Sequence, residues 1–120
     1  MTEVKIIKDG EIATALIQGD IDHHTAKEIR EQIDEYIPKN QIKLLKLDFS
    51  QVQFMDSSGI GLIMGRYRIM KMLNGEVKVV NIPLHLKRLI KISGLLGLGV
   101  IEEGEVWQWQ SWRMKWKLSL

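Results

Sequence analysis

Residues 44–61, LLKLDFSQVQFMDSSGIG, carry most of the information on the fold of this chain. The apolar run 42–49 is too short and too continuous for a surface helix, and it is typical of a buried central strand. Over residues 57–73 apolar side chains recur at helical spacing, and Asn74-Gly75 marks a helix end. A buried strand that leads through a polar turn into a helix indicates an open α/β sheet, in which ligands lie at the carboxyl ends of the strands.

The sequence on either side predicts more elements of the same kind. Asp9-Gly10 is a favoured hairpin dipeptide between two β-leaning runs, so we expect an antiparallel hairpin at the start. Residues 25–37 have one apolar helical stripe. Thr25 with Glu28 indicates a capping box, and Pro38 with Asn40 is expected to close the segment. We further predict a strand at 77–80, a helix at 84–92 after Pro83 and a last strand at 98–101. The order ββαβαβαβ predicts an α/β fold with a mixed, mostly parallel sheet of about five strands. Whether a C-terminal helix follows the last strand is left open.

Composition and charge exclude several classes of protein. With 120 residues, 45% hydrophobic and 27% charged, we expect one compact domain. The net charge of +2 argues against a nucleic-acid binder, and the absence of cysteine excludes a disulfide scaffold and a thiolate nucleophile. No apolar run approaches the roughly 20 residues of a membrane-spanning helix, and no secretory signal is readable at the start. We expect a cytoplasmic protein.

The last 14 residues differ from the rest of the chain. They hold all four tryptophans and three basic residues but no acidic residue, whereas residues 1–106 carry 14 basic and 15 acidic side chains. We therefore divide the chain into a domain, 1–106, and a Trp-rich basic tail, 107–120. The tail is interpreted as a helix that covers the sheet or an atypical end, and association with a membrane surface is the weaker alternative.

The turn Asp56-Ser57-Ser58-Gly59 has two interpretations from its residues. In the structural one, Ser57 or Ser58 is the N-cap, and its hydroxyl accepts hydrogen bonds from the first turn of the helix. In the functional one, the hydroxyl points outward beside unpaired N–H donors and the positive end of the helix, which favour a phosphate added to it. The residues alone leave both open.

Two catalytic or metal-binding interpretations fit less well. A serine hydrolase would use Ser57 with His23 or His24 and an aspartate, Asp22 or Asp56, but the glycine that precedes the serine of a nucleophile elbow is missing. Asp22, His23 and His24 would make a metal site without a visible fourth ligand.

Two phosphate-related interpretations are also weak. Gly59-x-Gly61-x-x-x-Gly65 misses the dinucleotide-binding spacing by one residue, and close packing of helix on sheet explains these glycines better. Asp48 stands where a receiver domain has its phosphoacceptor, but Lys8 and Asp9 replace the acidic pair that would hold magnesium.

Three segments resemble one known family: GDIDHHTA at 19–26, FMDSSGIG at 54–61 and MGRY at 64–67. Together they are similar to the anti-sigma-factor antagonists of the STAS superfamily. The Asp-His-His-Thr and Gly-Arg-Tyr portions are most similar to the sporulation members that release sigma factor F in endospore-forming Firmicutes. The resemblance covers residues 3 to about 103; family members usually end with an amphipathic helix, which residues 107–120 do not resemble.

The resemblance implies a non-enzymatic switch protein without cofactor or metal. Its unphosphorylated form would bind an anti-sigma factor that is also a serine kinase and so release the sigma factor. The kinase would phosphorylate Ser57, which ends binding, and a serine phosphatase would reverse the modification. The alternative is a STAS module with a ligand-sensing or scaffold role and no phosphorylation.

The predicted topology also locates a partner-binding face. The loop 19–25, the turn 55–59 and the turn 81–83 all follow strands and are expected at the same end of the sheet. On this face we predict that a kinase is contacted by six residues: Asp20, Asp22, His23, Asp56, Ser58 and Gly59.

Overall fold

The computed structural model describes residues 2–102, in which strands and helices alternate after an opening hairpin. The strands are β1 (Glu3–Asp9), β2 (Ile12–Ile21), β3 (Leu44–Met55) and β4 (Glu76–Val80). The helices are α1 (His23–Asn40), α2 (Ser57–Met72) and α3 (Leu84–Ile92), and a short 3-10 helix spans Leu95–Leu98. The α/β fold predicted from the sequence is confirmed.

The four described strands form one sheet in the order β1-β2-β3-β4. The first two are an antiparallel hairpin in which Asp9 lies opposite Ile12, and Gly10 takes the left-handed conformation that this tight turn needs. The pairs β2–β3 and β3–β4 are parallel, with α1 and α2 as crossovers. The mixed, mostly parallel sheet was thus predicted correctly.

The core lies between the sheet and the helices. α1 and α2 contact each other, α1 contacts β2, and α2 contacts β3 and β4, so both helices cover one face of the sheet. Their apolar stripes and the inward residues of the strands bury side chains completely or nearly so, among them Ile17, Ile29, Ile33, Leu45, Leu47, Phe49, Ile63 and Met70. This burial fixes the ends of β2 and β3, where the candidate site lies.

The bounds of α1 differ from the prediction at both ends. Asp22 is the N-cap, so the capping box joins Asp22 to Thr25, and the predicted box of Thr25 with Glu28 is wrong. The helix also runs through Pro38 to Asn40. A proline in the last turn removes few helical hydrogen bonds, and the Asn40 side chain donates to the carbonyl of Tyr36 over 2.8 Å. The left-handed Gln41 then ends the helix.

The predicted last strand, 98–101, is reduced to a single residue in the described part of the chain. Ile101 makes a parallel bridge to Val79, with hydrogen bonds on either side of it, but residues up to 98 form the 3-10 helix. Gly94 and Gly99 have left-handed backbones that bracket this helix and prevent an extended run. The domain boundary at 106, the tail 107–120 and the C-terminal helix lie outside the described residues.

Candidate functional site

The ends of β2 and β3 bring two of the predicted loops together. Ile21 pairs with Met55, and the backbone N–H of Asp56 donates to the carbonyl of Ile21 over 3.2 Å. The loop 19–25 and the turn 55–59 therefore lie side by side at the carboxyl ends of two adjacent parallel strands. Ligands and reactive groups of α/β sheets usually lie at this place.

Ser57 is the first residue of α2 and its side chain is exposed. The N-cap of the helix is Asp56, whose carboxylate accepts from the backbone N–H of Ser58 over 2.7 Å. The expectation that a serine caps the helix is therefore wrong, because the aspartate before it does so. Within residues 2–102 the hydroxyl of Ser57 makes no hydrogen bond, which leaves it available at the positive end of the helix.

Ser58 and Gly59 have different surroundings from Ser57. Ser58 is partly buried, and its backbone N–H is held by the Asp56 cap. Gly59 is buried, and a Cβ at this position would overlap the Met55 side chain. Gly59 thus lets the first turn of α2 approach the end of β3, while the exposed hydroxyl of the turn belongs to Ser57.

Asp22 is tied into the start of α1. Its carboxylate accepts from the N–H groups of His24 and Thr25, each over 2.9 Å, and the Thr25 hydroxyl accepts from the N–H of Asp22 over 2.8 Å. These hydrogen bonds, above all the one from the Thr25 backbone, hold the pKa of Asp22 below its ordinary value. Asp22 therefore stabilises the loop, and its carboxylate already accepts hydrogen bonds from the backbone of α1.

Asp20 and His23 are the freely projecting members of this loop. Both are exposed, and the described structure shows no hydrogen bond or ion pair to the Asp20 carboxylate. The carbonyl of Asp20 accepts from the hydroxyls of Thr2 and Thr25, which fixes the loop and leaves the carboxylate for an external partner. A shallow cleft of about 440 Å³ lies beside it, lined by Thr2, Gly19, Asp20, Asp22, Thr25 and Gln53.

The turn 81–83 is set back from the other two. β4 ends at Val80, which pairs with Asp48, whereas β3 continues to Met55. At about 3.3 Å per residue, the end of β3 extends roughly 20 Å beyond that level. Asn81 donates to the Asp48 carboxylate over 3.1 Å. The turn 81–83 thus follows a parallel strand at the same end of the sheet, but it begins further back than the other two segments.

Residues 2–102 give no support to the serine-hydrolase, metal-site and receiver-domain interpretations. His23 and His24 pack edge to face with ring centroids 5.6 Å apart, and within residues 2–102 neither donates to Ser57. No group of three His, Asp or Glu side chains in that part of the chain is placed to hold a metal ion. The Asp48 carboxylate is used by the N–H of Ser50 and by Asn81.

A buried ion pair behind the site was not predicted. Arg66 on α2 is only 3% exposed, and its Nε lies 2.8 Å from a carboxylate oxygen of Asp34 on α1. The two atoms are close enough for an ion pair, but they are not aligned as a hydrogen bond. The sequence signal was an arginine between apolar helical positions, in the Gly-Arg-Tyr segment that was noted only for its resemblance.

The fold agrees with comparisons to known proteins. The model of the STAS domain matches residues 3–104. This chain belongs to the STAS domain family. This chain is 42% identical to an anti-sigma F factor antagonist of Paenibacillus polymyxa over 92 residues, which cover 75% of this chain and 77% of the relative.

Two solved structures extend the similarity to three dimensions. The anti-sigma factor antagonist SpoIIAA in its unphosphorylated form superposes with a TM-score of 0.71 at 26% identity, over 88% of this chain and 92% of that one. The phosphorylated form of SpoIIAA, a cell fate determinant of Bacillus, gives a TM-score of 0.65 at 25% identity, over 90% and 97% of the two chains. The predicted family is confirmed. None of the helices within residues 2–102 is long and apolar enough to cross a membrane.

Proposed function

We propose that this STAS domain is an anti-sigma-factor antagonist controlled by phosphorylation of Ser57. In the unphosphorylated form it binds an anti-sigma factor that is also a serine kinase, and the sigma factor is released. The observation that carries the proposal is the exposed hydroxyl of Ser57, unpartnered within residues 2–102, on a chain similar to proteins named for this role. The chain is the substrate of the kinase and not itself an enzyme, and the exchange takes place in the cytoplasm, where ATP is available.

The modification is a phosphoryl transfer to a helix N-terminus. The kinase moves the terminal phosphoryl group of ATP to Oγ of Ser57, a base of the kinase takes the hydroxyl proton, and ADP leaves. The first turn of α2 tolerates the product, because its N–H groups and helix dipole favour an anion. A serine phosphatase returns the hydroxyl by hydrolysis.

Phosphorylation ends binding through local charge. A phosphoserine at position 57 brings a charge of about −1.5 to −2 next to Asp56 and near the loop that holds Asp22. At a tight interface this charge repels acidic neighbours and costs desolvation. The hydrogen bond from the Ser58 N–H to Asp56 already satisfies the cap, so the phosphate requires no refolding of the helix.

The six predicted partner contacts divide into two roles in this proposal. Asp20 and His23 project from the loop and touch the kinase directly, as does Ser58 at the first turn of the helix. Asp22, Asp56 and Gly59 hold the loop and the turn in the shape that the partner contacts. A kinase that meets this face carries basic groups opposite the acidic side chains.

Asp20→Lys tests the face cleanly, since no described contact of its side chain is lost. Association with the anti-sigma F factor of Paenibacillus polymyxa is expected to slow about tenfold or more at low salt and to lose much of its salt dependence. Glu35→Lys, near the far end of α1, makes the same change of charge at an exposed position and is expected to leave association unchanged. Wild-type association kinetics for Asp20→Lys would show that the face is wrongly placed.

The phosphoacceptor is tested with the same kinase and ATP. Wild-type chain and Ser58→Ala are expected to gain the mass of one phosphoryl group, whereas Ser57→Ala gains none. Loss of labelling in Ser58→Ala alone would overturn the assignment. If no variant is labelled but the wild-type chain is folded, the ligand-sensing or scaffold role replaces the proposed function.

A further inference from the structure

The outer side of β1 is a free edge of the sheet. β1 stands first in the order β1-β2-β3-β4, and in the described part of the chain it pairs with β2 alone. Asp9 and Ile12 close a tight hairpin, so this pair exchanges both of its backbone hydrogen bonds. The alternation of the strand then turns the N–H and carbonyl groups of Val4, Ile6 and Lys8 away from β2. These groups form the hydrogen-bonding side of the edge.

The two faces of β1 differ in exposure. Val4 and Ile6 are partly buried against the core, whereas Lys5, Ile7 and Asp9 are exposed on the face that α1 and α2 do not cover. Ile7 is 67% exposed, more than any other large apolar side chain of the sheet. Among the described residues, neither Lys5 nor Asp9 has an ion-pair partner. The exposed face of β1 therefore offers a basic, an apolar and an acidic side chain in a row.

A second copy of β1 is complementary to this row. A two-fold axis perpendicular to the sheet sets the strand antiparallel to itself and keeps every side chain on its own face. With the axis at Ile7, Lys5 of each copy lies opposite Asp9 of the other. Ile6 then lies opposite Lys8, and such a pair can exchange both backbone hydrogen bonds because the free groups of both residues point outward.

The charges of β1 favour this register over its neighbours. With the axis at Ile6, Glu3 would lie opposite Asp9, and with the axis at either lysine of the strand two lysines would face each other. Like charges directly opposite destabilise a strand pair, whereas opposite charges stabilise it. Lysine usually protects a sheet edge from pairing, but in the register centred on Ile7 an aspartate neutralises Lys5. The two Ile7 side chains meet at the axis.

We propose that two copies of this chain associate by antiparallel pairing of their β1 strands, centred on Ile7. The occupant of the edge is a second copy because the order of charged and apolar side chains along β1 is complementary to itself. The helices permit the pairing: α1 contacts both strands of the hairpin, and the midpoints of two paired hairpins lie two strand spacings apart, roughly 10 Å. This is the ordinary distance between packed helices.

The association leaves the Ser57 site free. Ile7 pairs with Thr14, which lies roughly 20 Å along β2 from Ile21 at the site. The inference therefore goes beyond the proposed function and does not depend on it.

Sedimentation velocity of the full chain tests the association. Because the paired segment is short, we expect a monomer–dimer equilibrium with a dissociation constant of about 0.1 mM, visible between about 10 µM and about 1 mM. A chain that stays monomeric at about 1 mM would overturn the inference and leave the proposed function intact.

Charge reversal tests the register. Lys5→Glu and Asp9→Lys are each expected to weaken dimerisation about tenfold, because each change acts twice across the axis. The double variant Lys5→Glu/Asp9→Lys restores opposite charges and is expected to dimerise within about threefold of the wild-type chain. Lys71→Glu, exposed on α2, makes the same change of charge away from β1 and is expected to have no effect. Unchanged dimerisation in Lys5→Glu, or no recovery in a folded double variant, contradicts the register.

Amide hydrogen exchange locates the contact without a mutation, and it decides together with Lys5→Glu if Asp9→Lys does not fold. At about 1 mM, a dissociation constant of about 0.1 mM leaves about one fifth of the chain monomeric. The N–H groups of Ile6 and Lys8 are then expected to exchange about fourfold more slowly than at about 10 µM. Dimerisation without this protection would place the interface elsewhere, and equal protection at both concentrations would show that the same chain covers its own β1. Either result overturns the inference.

Discussion

Removing Asp34 should destabilise this STAS domain more than removing its partner Arg66. The reason is the unequal burial of the pair: the Arg66 side chain is 4% exposed, whereas that of Asp34 is 32% exposed. Asp34→Ala leaves a buried guanidinium without its carboxylate. Arg66→Met fills the space with an apolar side chain and leaves a carboxylate that water can reach.

The expected loss of stability follows from two opposing effects, the attraction between the two charges and the cost of removing them from water. Opposite charges about 4 Å apart attract by roughly 4 kcal/mol at an effective dielectric constant of about 20. Desolvation offsets much of this attraction, since burial raises the pKa of Asp34 more than Arg66 lowers it. Removing one partner of a fully buried pair costs about 3–5 kcal/mol. With water near Asp34, we expect about 3 kcal/mol for Asp34→Ala and about 1 kcal/mol for Arg66→Met.

Urea denaturation at pH 7 measures the difference. Far-UV circular dichroism is the suitable signal, because all four tryptophans lie beyond residue 106. Glu35→Ala is the control on the same helix: its exposed ion pair with Lys39 is worth only about 0.3–0.5 kcal/mol. Equal losses for the two variants, or a larger loss for Arg66→Met, would refute the argument from unequal burial.

Three other results are expected. Hydrogen bonds lower the pKa of Asp22 in the folded chain. The stability advantage of the wild-type chain over Asp22→Asn is therefore complete above the unfolded pKa near 3.8, and it is lost as the pH falls through the folded pKa. Urea denaturation across this pH range measures the change. Gly59→Ala should cost about 1–3 kcal/mol by collision with Met55, whereas Gly61→Ala, with nothing near its Cβ, should stabilise by up to about 1 kcal/mol; thermal denaturation ranks the two, and the reverse order would contradict the packing. Amide chemical shifts should change on phosphorylation only in the first turn of α2 and the adjacent loops; changes throughout the sheet and α3 would require a conformational mechanism.

The order of elements was predictable because each depends on local pattern. The apolar run before residue 50, the helical spacing after Ser57 and the Asp9-Gly10 turn each specify one element without reference to the rest of the chain. The meeting of the loop 19–25 with the turn 55–59 followed from parallel topology. Family resemblance added the expected role of Ser57, which the residue types alone had left open.

The details that shape the site depend on three-dimensional context. Asp56 is the N-cap of α2 because its backbone N–H donates to the carbonyl of Ile21 at the end of β2. This hydrogen bond determines where β3 ends and α2 begins. The two register shifts between β2 and β3 and the early end of β4 depend on pairing between strands distant in sequence, so no local pattern reveals them. The last predicted strand was lost because two left-handed glycines bend the chain before Val100.

Isothermal titration of the anti-sigma F factor of Paenibacillus polymyxa, with ADP, by the unphosphorylated and the Ser57-phosphorylated chain tests the central claim most directly. The unphosphorylated chain is expected to bind, and the phosphorylated chain to bind at least about 100-fold more weakly, a difference of about 2.7 kcal/mol. Equal affinity of the two forms would contradict a switch at Ser57.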